Sequence, residues 1–268
     1  MLQNPIVFSN NQFINFGKLL VSGRHGSDVF EKDGIATYWA DSPSIFYNLL
    51  FLSEPISGRA MLDARLRAAA DYMRSKKEQG LFLVSDDYLD ADAQTQLGVA
   101  LKQAGLVPAM DTTGMNGNLL TFKEAVKHPD LRFERVASED GFRECADINS
   151  EAYGLPPAPM RDGIDGATLW KKGVFCYLAY HGDRAVATAS VVEFEGALYV
   201  AYVATRPHAQ RHGFAEATMR HALSAASEAT GLQSTWLHSS EAGYPVYTRM
   251  GYTPVTRIVG FTLATASV

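Results

Sequence analysis

Apolar residues in the C-terminal half of the chain fall into short runs that alternate with turn residues. Three such runs follow one another at 174–180, 185–194 and 197–204. The segments that separate them, His181-Gly-Asp and Glu195-Gly196, are rich in residues that favour tight turns. Runs of strand length separated by turns this short predict an antiparallel meander of three strands.

The third run leads directly into a helical pattern. Apolar residues recur at intervals of three and four at Ala215, Met219, Leu223 and Ala226, which is the spacing of one helix face. We therefore expect a helix over 213–230 that ends at Gly231, a residue suited to a helix C-cap.

The same reasoning predicts the elements on either side of the meander and this helix. They are a strand at 132–136, a helix at 139–153, a Pro- and Gly-rich loop at 154–163, a short helix at 166–172, a strand at 233–238, a helix at 242–250 and a last strand at 252–262. The C-terminal half thus has the predicted order β-α-α-β-β-β-α-β-α-β.

The N-terminal half shows a comparable alternation. The pattern predicts strands at 34–40 and 44–52, a helix at 60–77, a strand at 81–85, a helix at 92–104 that ends at Gly105, and a strand at 106–110. A length of 268 residues with 47% apolar residues is enough for two cores. We expect two domains, 1–128 and 129–268.

Composition narrows the classes of function. The net charge of −5 is spread along the chain without a basic block, so a nucleic-acid partner is not expected. The two cysteines, Cys145 and Cys176, are too few for a disulfide framework and fit a reducing compartment. There is no apolar run of membrane-spanning length, and the segment Met1–Pro5 lacks the features of a signal peptide. A cytoplasmic protein without a membrane partner is expected.

The junction between the strand at 197–204 and the helix carries the first candidate chemistry. Its sequence is Gln210-x-x-Gly213-x-Ala215, and its small residues let the backbone approach a ligand closely. The first amides of a helix lack internal partners and carry the positive end of the helix dipole. Such a junction favours a bound pyrophosphate, although a tight loop before an ordinary helix is the alternative.

A second signature follows in Gly243-Tyr-Pro-Val-Tyr247-Thr-Arg-Met-Gly251-Tyr252. With both signatures at this separation, residues 131–268 resemble the GNAT superfamily of acyl-CoA-dependent N-acetyltransferases. The resemblance implies an α+β fold, with a mixed, mostly antiparallel sheet flanked by helices. It also implies acetyl-CoA as co-substrate, no metal, and a primary amine of a small molecule or peptide as acceptor.

The resemblance also assigns roles to residues. Backbone groups of Val203, Ala204 and Thr205 are expected to pair with the pantetheine arm, and one of their amides to stabilise the oxyanion. The pyrophosphate loop is expected to comprise Gln210, Arg211, His212, Gly213, Phe214, Ala215 and Glu216. Tyr247 is expected to protonate the departing thiolate, since a phenol keeps its proton at neutral pH. A packing role for Tyr247 is the alternative.

The general base has no clear candidate in the sequence. Glu193, Glu195 and Glu241 lie near the expected cleft but are of a type that is usually solvated. His238 ends the strand beside the cleft, where a histidine is able to relay protons. A chain of water molecules that takes the proton from the amine is the default hypothesis.

The N-terminal half is interpreted as a degenerate copy of the same unit, with an unrelated α/β domain as the alternative. Ala104-Gly105-Leu-Val-Pro corresponds to Met250-Gly251-Tyr-Thr-Pro in the second half. Between its strand and helix stands Ser53–Arg59, which has a single glycine and an acidic residue in place of a phosphate loop. No coenzyme site is expected there.

Two hypotheses for function remain after this reasoning. The first is an N-acetyltransferase in which the amine attacks acetyl-CoA directly in a ternary complex. The second is a catalytically idle module that binds acyl-CoA or docks a partner. A dinucleotide-binding protein is disfavoured because no Gly-x-Gly-x-x-Gly run occurs. The acceptor and the oligomeric state, a dimer among the options, stay open.

Overall fold

The structure, a computed structural model, describes residues 4–124, 127–171 and 173–264. The chain folds into two compact units. Unit 1 comprises Met1–Gly114 and Val255–Val268, and unit 2 comprises Met115–Pro254. None of the helices in the described part of the chain combines the length and the hydropathy needed to span a membrane.

Unit 1 is built around a mixed sheet. Its elements are α1 (Pro5–Val21), β1 (Asp28–Lys32), β2 (Ile35–Trp39), β3 (Asn48–Leu52), α2 (Gly58–Arg74), β4 (Leu81–Ser85) and α3 (Ala91–Ala104), with most of β5 (Leu106–Asn118) and β11 (Thr253–Leu263). The strand order is β1-β2-β3-β4-β11-β5. The first three strands form an antiparallel meander, and β3 then pairs in parallel with β4.

Unit 2 repeats this arrangement with more strands in its meander. Its elements are β6 (Leu131–Arg135), α4 (Glu139–Ala152), α5 (Pro157–Gly166), β7 (Val174–His181), β8 (Arg184–Phe194), β9 (Ala197–Thr205), α6 (Phe214–Thr230), β10 (Ser234–Ser239) and α7 (Tyr244–Met250). Strands β6 to β9 pair antiparallel in sequence order, and β9 pairs in parallel with β10. In both units a meander is followed by a helix, a parallel strand and another helix.

The cores explain why these sequences form these elements. In unit 1, the inward faces of α2 and α3 bury Leu62, Leu66 and Ala100 against Leu50 and Phe82 of the sheet. In unit 2, α6 and its neighbours form an apolar cluster with the sheet that includes Met219, Ala222, Leu223, Ala226, Leu198, Val200, Leu237 and Met250. The predicted helix face of α6 is therefore the buried face, and the α+β prediction with a mostly antiparallel sheet is confirmed.

The last strand joins the first unit. Strand β11 pairs antiparallel with β4, with Ile258 opposite Ser85. Its residues Val259 and Phe261 enter the apolar core of unit 1. The two units therefore do not correspond to the segments 1–128 and 129–268, since Val255–Val268 belongs to unit 1. The reason is that the apolar face of β11 is buried against elements of the N-terminal half.

Several elements differ from the sequence-based expectation. Helix α1 and strand β1 were not expected; α1 begins where the Asn4 side chain caps the amide of Ile6 and a proline occupies the first turn. The loop expected at 154–163 is helical from Pro157, and it buries Met160 and Ile164 at helical spacing. The short helix expected at 166–172 is a 3-10 turn over Thr168–Lys171, and Lys172 lies outside the described residues.

Two glycines of unit 1 provide a matched test of this packing. A Cβ at Gly80 would lie 2.3 Å from Cη2 of Trp39 and 2.4 Å from the carbonyl oxygen of Asn48. Gly80→Ala should therefore destabilise the protein by about 1–3 kcal/mol, the usual cost of overpacking. Urea denaturation measures the change.

Gly98 is the control, since it lies in α3 with nothing within 4 Å of an added Cβ. Gly98→Ala should stabilise the protein by about 0.5–1 kcal/mol because alanine favours a helix interior. Equal shifts of the unfolding midpoint in the two variants would contradict the close packing at Gly80.

Candidate active site

Strands β9 and β10 separate in the middle of unit 2. They pair only where Leu198–Val200 lie beside Thr235–Leu237. Beyond this point β9 continues to Thr205 and β10 continues to Ser239 without pairing to each other. The separation leaves a gap whose β9 side is formed by Ala201–Thr205.

A β-bulge in β9 accompanies this gap. On its other edge, β9 places Ala204 opposite Thr188 of β8, but Ala201 opposite Ser190, so β9 has one extra residue. Tyr202 lies in this bulge with a φ of +53°, a backbone conformation that few residues other than glycine adopt. A bulge bends its strand and redirects the side chains that follow, and here it lies immediately before Val203.

The turn between β9 and α6 is anchored by Arg206. Its guanidinium donates to the carbonyl of Ala185 at 2.9 Å and to Glu144 at 2.6 Å, and it also bonds Glu151. The two carboxylates belong to α4, and the carbonyl belongs to β8. The side chain of Gln210 donates back to the carbonyl of Thr205 at 3.3 Å. Hydrogen bonds to α4, β8 and β9 therefore hold the turn at Arg206 and at Gln210, the first residue of the predicted loop.

The first turn of α6 has amides without a capping side chain. The helix begins at Phe214, and its N-cap is Gly213, which has no side chain to accept from these amides. Arg211 and Gly213 have φ values of +66° and +79°. A Cβ on Gly213 would lie 3.0 Å from Nε2 of His128. Glycine therefore keeps the approach to these amides open.

Glu216 is the one acidic residue in this first turn, and two arginines neutralise it. Its carboxylate bonds Arg220 at 2.9 Å and Arg249 at 2.7 Å. Burial acts to raise the pKa of Glu216, but the two guanidinium groups outweigh it and hold the pKa below its usual value. Arg249 lies on α7, so its ion pair with Glu216 joins the start of α6 to the helix that carries Tyr247.

Thr205, at the end of β9, has an unsatisfied hydroxyl. Only 8% of the residue is exposed, and its Oγ1 has no hydrogen-bond partner among the described residues. Buried hydroxyls normally have a partner. Thr205 is the last residue of β9, next to the turn that leads to α6.

Tyr247 is partly buried on α7. A Cβ on Gly243 would lie 2.8 Å from its ring, and the ring of Tyr252 lies 5.9 Å away. Burial raises the pKa of the Tyr247 phenol, and the nearby Tyr153 adds to the rise. The hydroxyl is therefore protonated at neutral pH, and it makes no hydrogen bond to another described residue.

A tyrosine on β9 contacts a histidine on β10. The sequence singles out the histidine, His238, but not the tyrosine, Tyr199. The hydroxyl of Tyr199 on β9 lies 3.0 Å from Nδ1 of His238 on β10. Burial raises the pKa of Tyr199, and Tyr247 contributes to this rise. Burial also lowers the pKa of His238 to about 3. Tyr199 escaped the sequence analysis because it occupies an ordinary apolar-strand position.

The corresponding helix of unit 1 differs at its first turn. The amide of Gly58 donates to Asp90 at 2.9 Å, and the amide of Arg59 donates to Asp92 at 3.0 Å. These carboxylates lie at the start of α3. In addition, a parallel bridge between Ile56 and Leu89 rejoins the segments that follow β3 and β4. In unit 1, carboxylates therefore accept from the first two amides of α2, and a bridge joins the segments that follow β3 and β4.

Comparisons with known proteins agree with this geometry. Residues 172–254 match the model of the acetyltransferase (GNAT) domain family. A GCN5-related N-acetyltransferase from Kribbella flavida has a similar structure, with a TM-score of 0.68, 17% identity and 96% of each chain covered. No match to the sequence is found among curated proteins.

Two further solved structures are similar over nearly the whole chain. A functionally unknown protein from Staphylococcus epidermidis has a TM-score of 0.65 and 11% identity, with 91% of this chain and 95% of the other covered. A tandem GNAT protein from the clavulanic acid biosynthesis pathway has a TM-score of 0.54 and 10% identity, with 97% and 96% covered. The predicted GNAT resemblance is confirmed.

The low pKa of His238 is open to direct measurement. We expect its imidazole to stay neutral from about pH 8 to about pH 5, because a pKa of about 3 lies far below the ordinary value near 6.5. The unfolded chain then binds more protons than the native one, so this group lowers stability as the pH falls below about 6.5. Histidine NMR shifts, assigned with His238→Gln, test this, and a titration midpoint between pH 5 and 8 would contradict it.

Proposed function

We propose that unit 2, in which residues 172–254 match the acetyltransferase (GNAT) domain model, transfers an acetyl group from acetyl-CoA to a primary amine. The acceptor is a small molecule or a peptide, and it attacks the thioester directly within a ternary complex. The observation that carries the proposal is the uncapped first turn of α6 at the mouth of the gap between β9 and β10.

The start of α6 suits the pyrophosphate of the coenzyme. Amides of Gly213 to Glu216 point out of the first turn without intrahelical partners, and helix N-termini favour phosphate groups. The charge of Glu216 is balanced by Arg220 and Arg249, so only its amide acts on the ligand.

The gap suits the pantetheine arm and the thioester. Along Val203 to Thr205, β9 has no partner on β10, so its backbone groups are able to pair with the amides of the arm. The bulge at Tyr202 changes the direction of these groups relative to the rest of the strand. One amide directed at the carbonyl oxygen would stabilise the tetrahedral intermediate, and this type of interaction often contributes most to catalysis.

Tyr247 is the proposed general acid. Its phenol is held protonated by burial, and no described residue binds its hydroxyl. The Glu216–Arg249 ion pair fixes α7 to the phosphate end of the site. When the tetrahedral intermediate collapses, the C–S bond breaks and the phenol gives its proton to the sulfur. Solvent then restores the proton to the tyrosine.

The amine proton is proposed to leave through water molecules. Glu193, Glu195 and Glu241 are exposed, so none is held in the gap. His238 is next to it but is a weak base, with a pKa of about 3. Its contact with Tyr199 gives it a role in shaping the site rather than in accepting the proton.

Thiol release from acetyl-CoA in the presence of a panel of primary amines tests the proposed function. We expect release to depend on the amine, and mass spectrometry should show one added acetyl group on the acceptor. Coenzyme binding without release for any amine would instead support the idle binding module.

Gly213 tests the coenzyme site. Gly213→Asp places a negative side chain over the first amides of α6, so acetyl-CoA affinity should fall by about 100-fold or more. Gly196→Asp is the control, since Gly196 has a similar φ of +73° with nothing within 4 Å, in the turn between β8 and β9. Calorimetry that finds equal affinities in both variants would contradict the assignment.

Tyr247 tests the acid. Tyr247→Phe should leave coenzyme affinity nearly unchanged and lower turnover by roughly 10²–10⁴-fold, the usual effect of a positioned acid. The control is Tyr252→Phe, which removes a phenol that bonds Thr235 at 2.9 Å and should lower stability rather than turnover. Steady-state kinetics decide between them, and near-normal turnover in Tyr247→Phe would support a packing role.

Unit 1 is not expected to bind the coenzyme, because the carboxylates of Asp90 and Asp92 already accept from the first two amides of α2. Calorimetry should give one acetyl-CoA per chain in the wild type and none in Gly213→Asp. A second site in the wild type that persists in the variant would overturn this assignment.

A further inference from the structure

Two thiols face each other in the core of unit 2. Cys145 on α4 and Cys176 on β7 have their sulfurs 3.4 Å apart. Their exposed fractions are 1% and 0%. The proposed acetyl transfer makes no use of either thiol.

We propose that Cys145 and Cys176 form a modification site, at which a peroxide oxidises the pair to an intramolecular disulfide. A disulfide bond is about 2.05 Å long, so the two sulfurs need to approach by roughly 1.3 Å from their 3.4 Å separation. We attribute this movement to rotations of the two side chains.

A cavity of about 770 Å³ brings a small oxidant close to the pair. Its wall includes Phe142 and Val174. Phe142 precedes Cys145 by three residues on α4, so both lie on one helix face. Val174 precedes Cys176 by two residues on β7, so both lie on one strand face. Because both thiols are buried, the proposed oxidation requires local opening of the unit at this cavity.

The chemistry balances with one peroxide molecule. One thiolate attacks a peroxide oxygen, the O–O bond breaks, and a sulfenic acid and water form. The second thiolate then attacks the sulfenic sulfur, the S–O bond breaks, and water leaves as the S–S bond forms. Two thiols lose two hydrogens in total, and the peroxide is reduced to two molecules of water.

The rate should reflect the burial of the pair. Burial raises the pKa of the Cys145 thiol, whereas the hydrogen bond from Cys145 lowers the pKa of the Cys176 thiol, so Cys176 is the first thiol to ionise and its thiolate fraction rises with pH. Oxidation should therefore be slow at pH 7 and faster at pH 9. Once formed, the link ties α4 to the sheet, and α4 supplies Glu144 and Glu151, which hold Arg206 in the turn before α6.

The test uses the full chain, treated with hydrogen peroxide and then alkylated under denaturing, non-reducing conditions. Intact mass should show a monomer that has lost two hydrogens and takes up no alkylating reagent, and dithiothreitol should restore two reactive thiols. The melting temperature of the oxidised wild type should rise by about 5–10 °C, because the link closes a loop of some thirty residues in the unfolded chain.

Cys176→Ala is the control, which leaves Cys145 without a partner. Peroxide should neither link this variant within the chain nor raise its melting temperature. Two thiols that stay reactive in the wild type, a sulfinic acid, a linked dimer or a lowered melting temperature would each overturn the proposal. If the variant fails to fold, the wild-type mass and melting data still decide.

Discussion

The amides at the first turn of a helix must find acceptors, and the two units meet this constraint in opposite ways. In unit 1, the amides of Gly58 and Arg59 at the start of α2 donate to Asp90 and Asp92, which belong to the same unit. In unit 2, no side chain caps the start of α6. The unit whose helix start has no such side-chain acceptor among the described residues is the one that contains the match to the acetyltransferase domain model.

Strand pairing follows the same division. In unit 1, Ile56 and Leu89, which follow β3 and β4, form a parallel bridge. Backbone groups of the two segments therefore pair with each other there. In unit 2, the β9–β10 pairing ends at Val200 and β9 has a bulge at Tyr202, so the backbone beyond Val200 has no partner on β10. An anion site without a gap, or a gap without an anion site, would be of little use to a thioester substrate. The proposed function needs both features, and only unit 2 combines them within the described residues.

The sequence predicted what local periodicity controls and missed what distant contacts control. The meander β7 to β9 and helix α6 follow from apolar spacing and turn residues, and the loop Gln210 to Glu216 is visible as a motif. Helix α1 was missed because Ser9, Asn10 and Gln12 interrupt its apolar pattern, although all three are buried. The loop 53–59 indicated that unit 1 lacks a phosphate loop. The carboxylates that accept from the first amides of α2, however, belong to Asp90 and Asp92, more than thirty positions away in the sequence.

The position of β11 shows why the two halves of the sequence do not fold as two consecutive domains. Tyr247 and α7 belong to unit 2, but the chain that follows them enters the sheet of unit 1 beside β4. Val259 and Phe261 are buried there with Phe82 and Val84, so their apolar surface is removed from water only when the N-terminal half is present. The N-terminal half therefore has a structural role, since its elements bury the apolar face of the strand that follows α7.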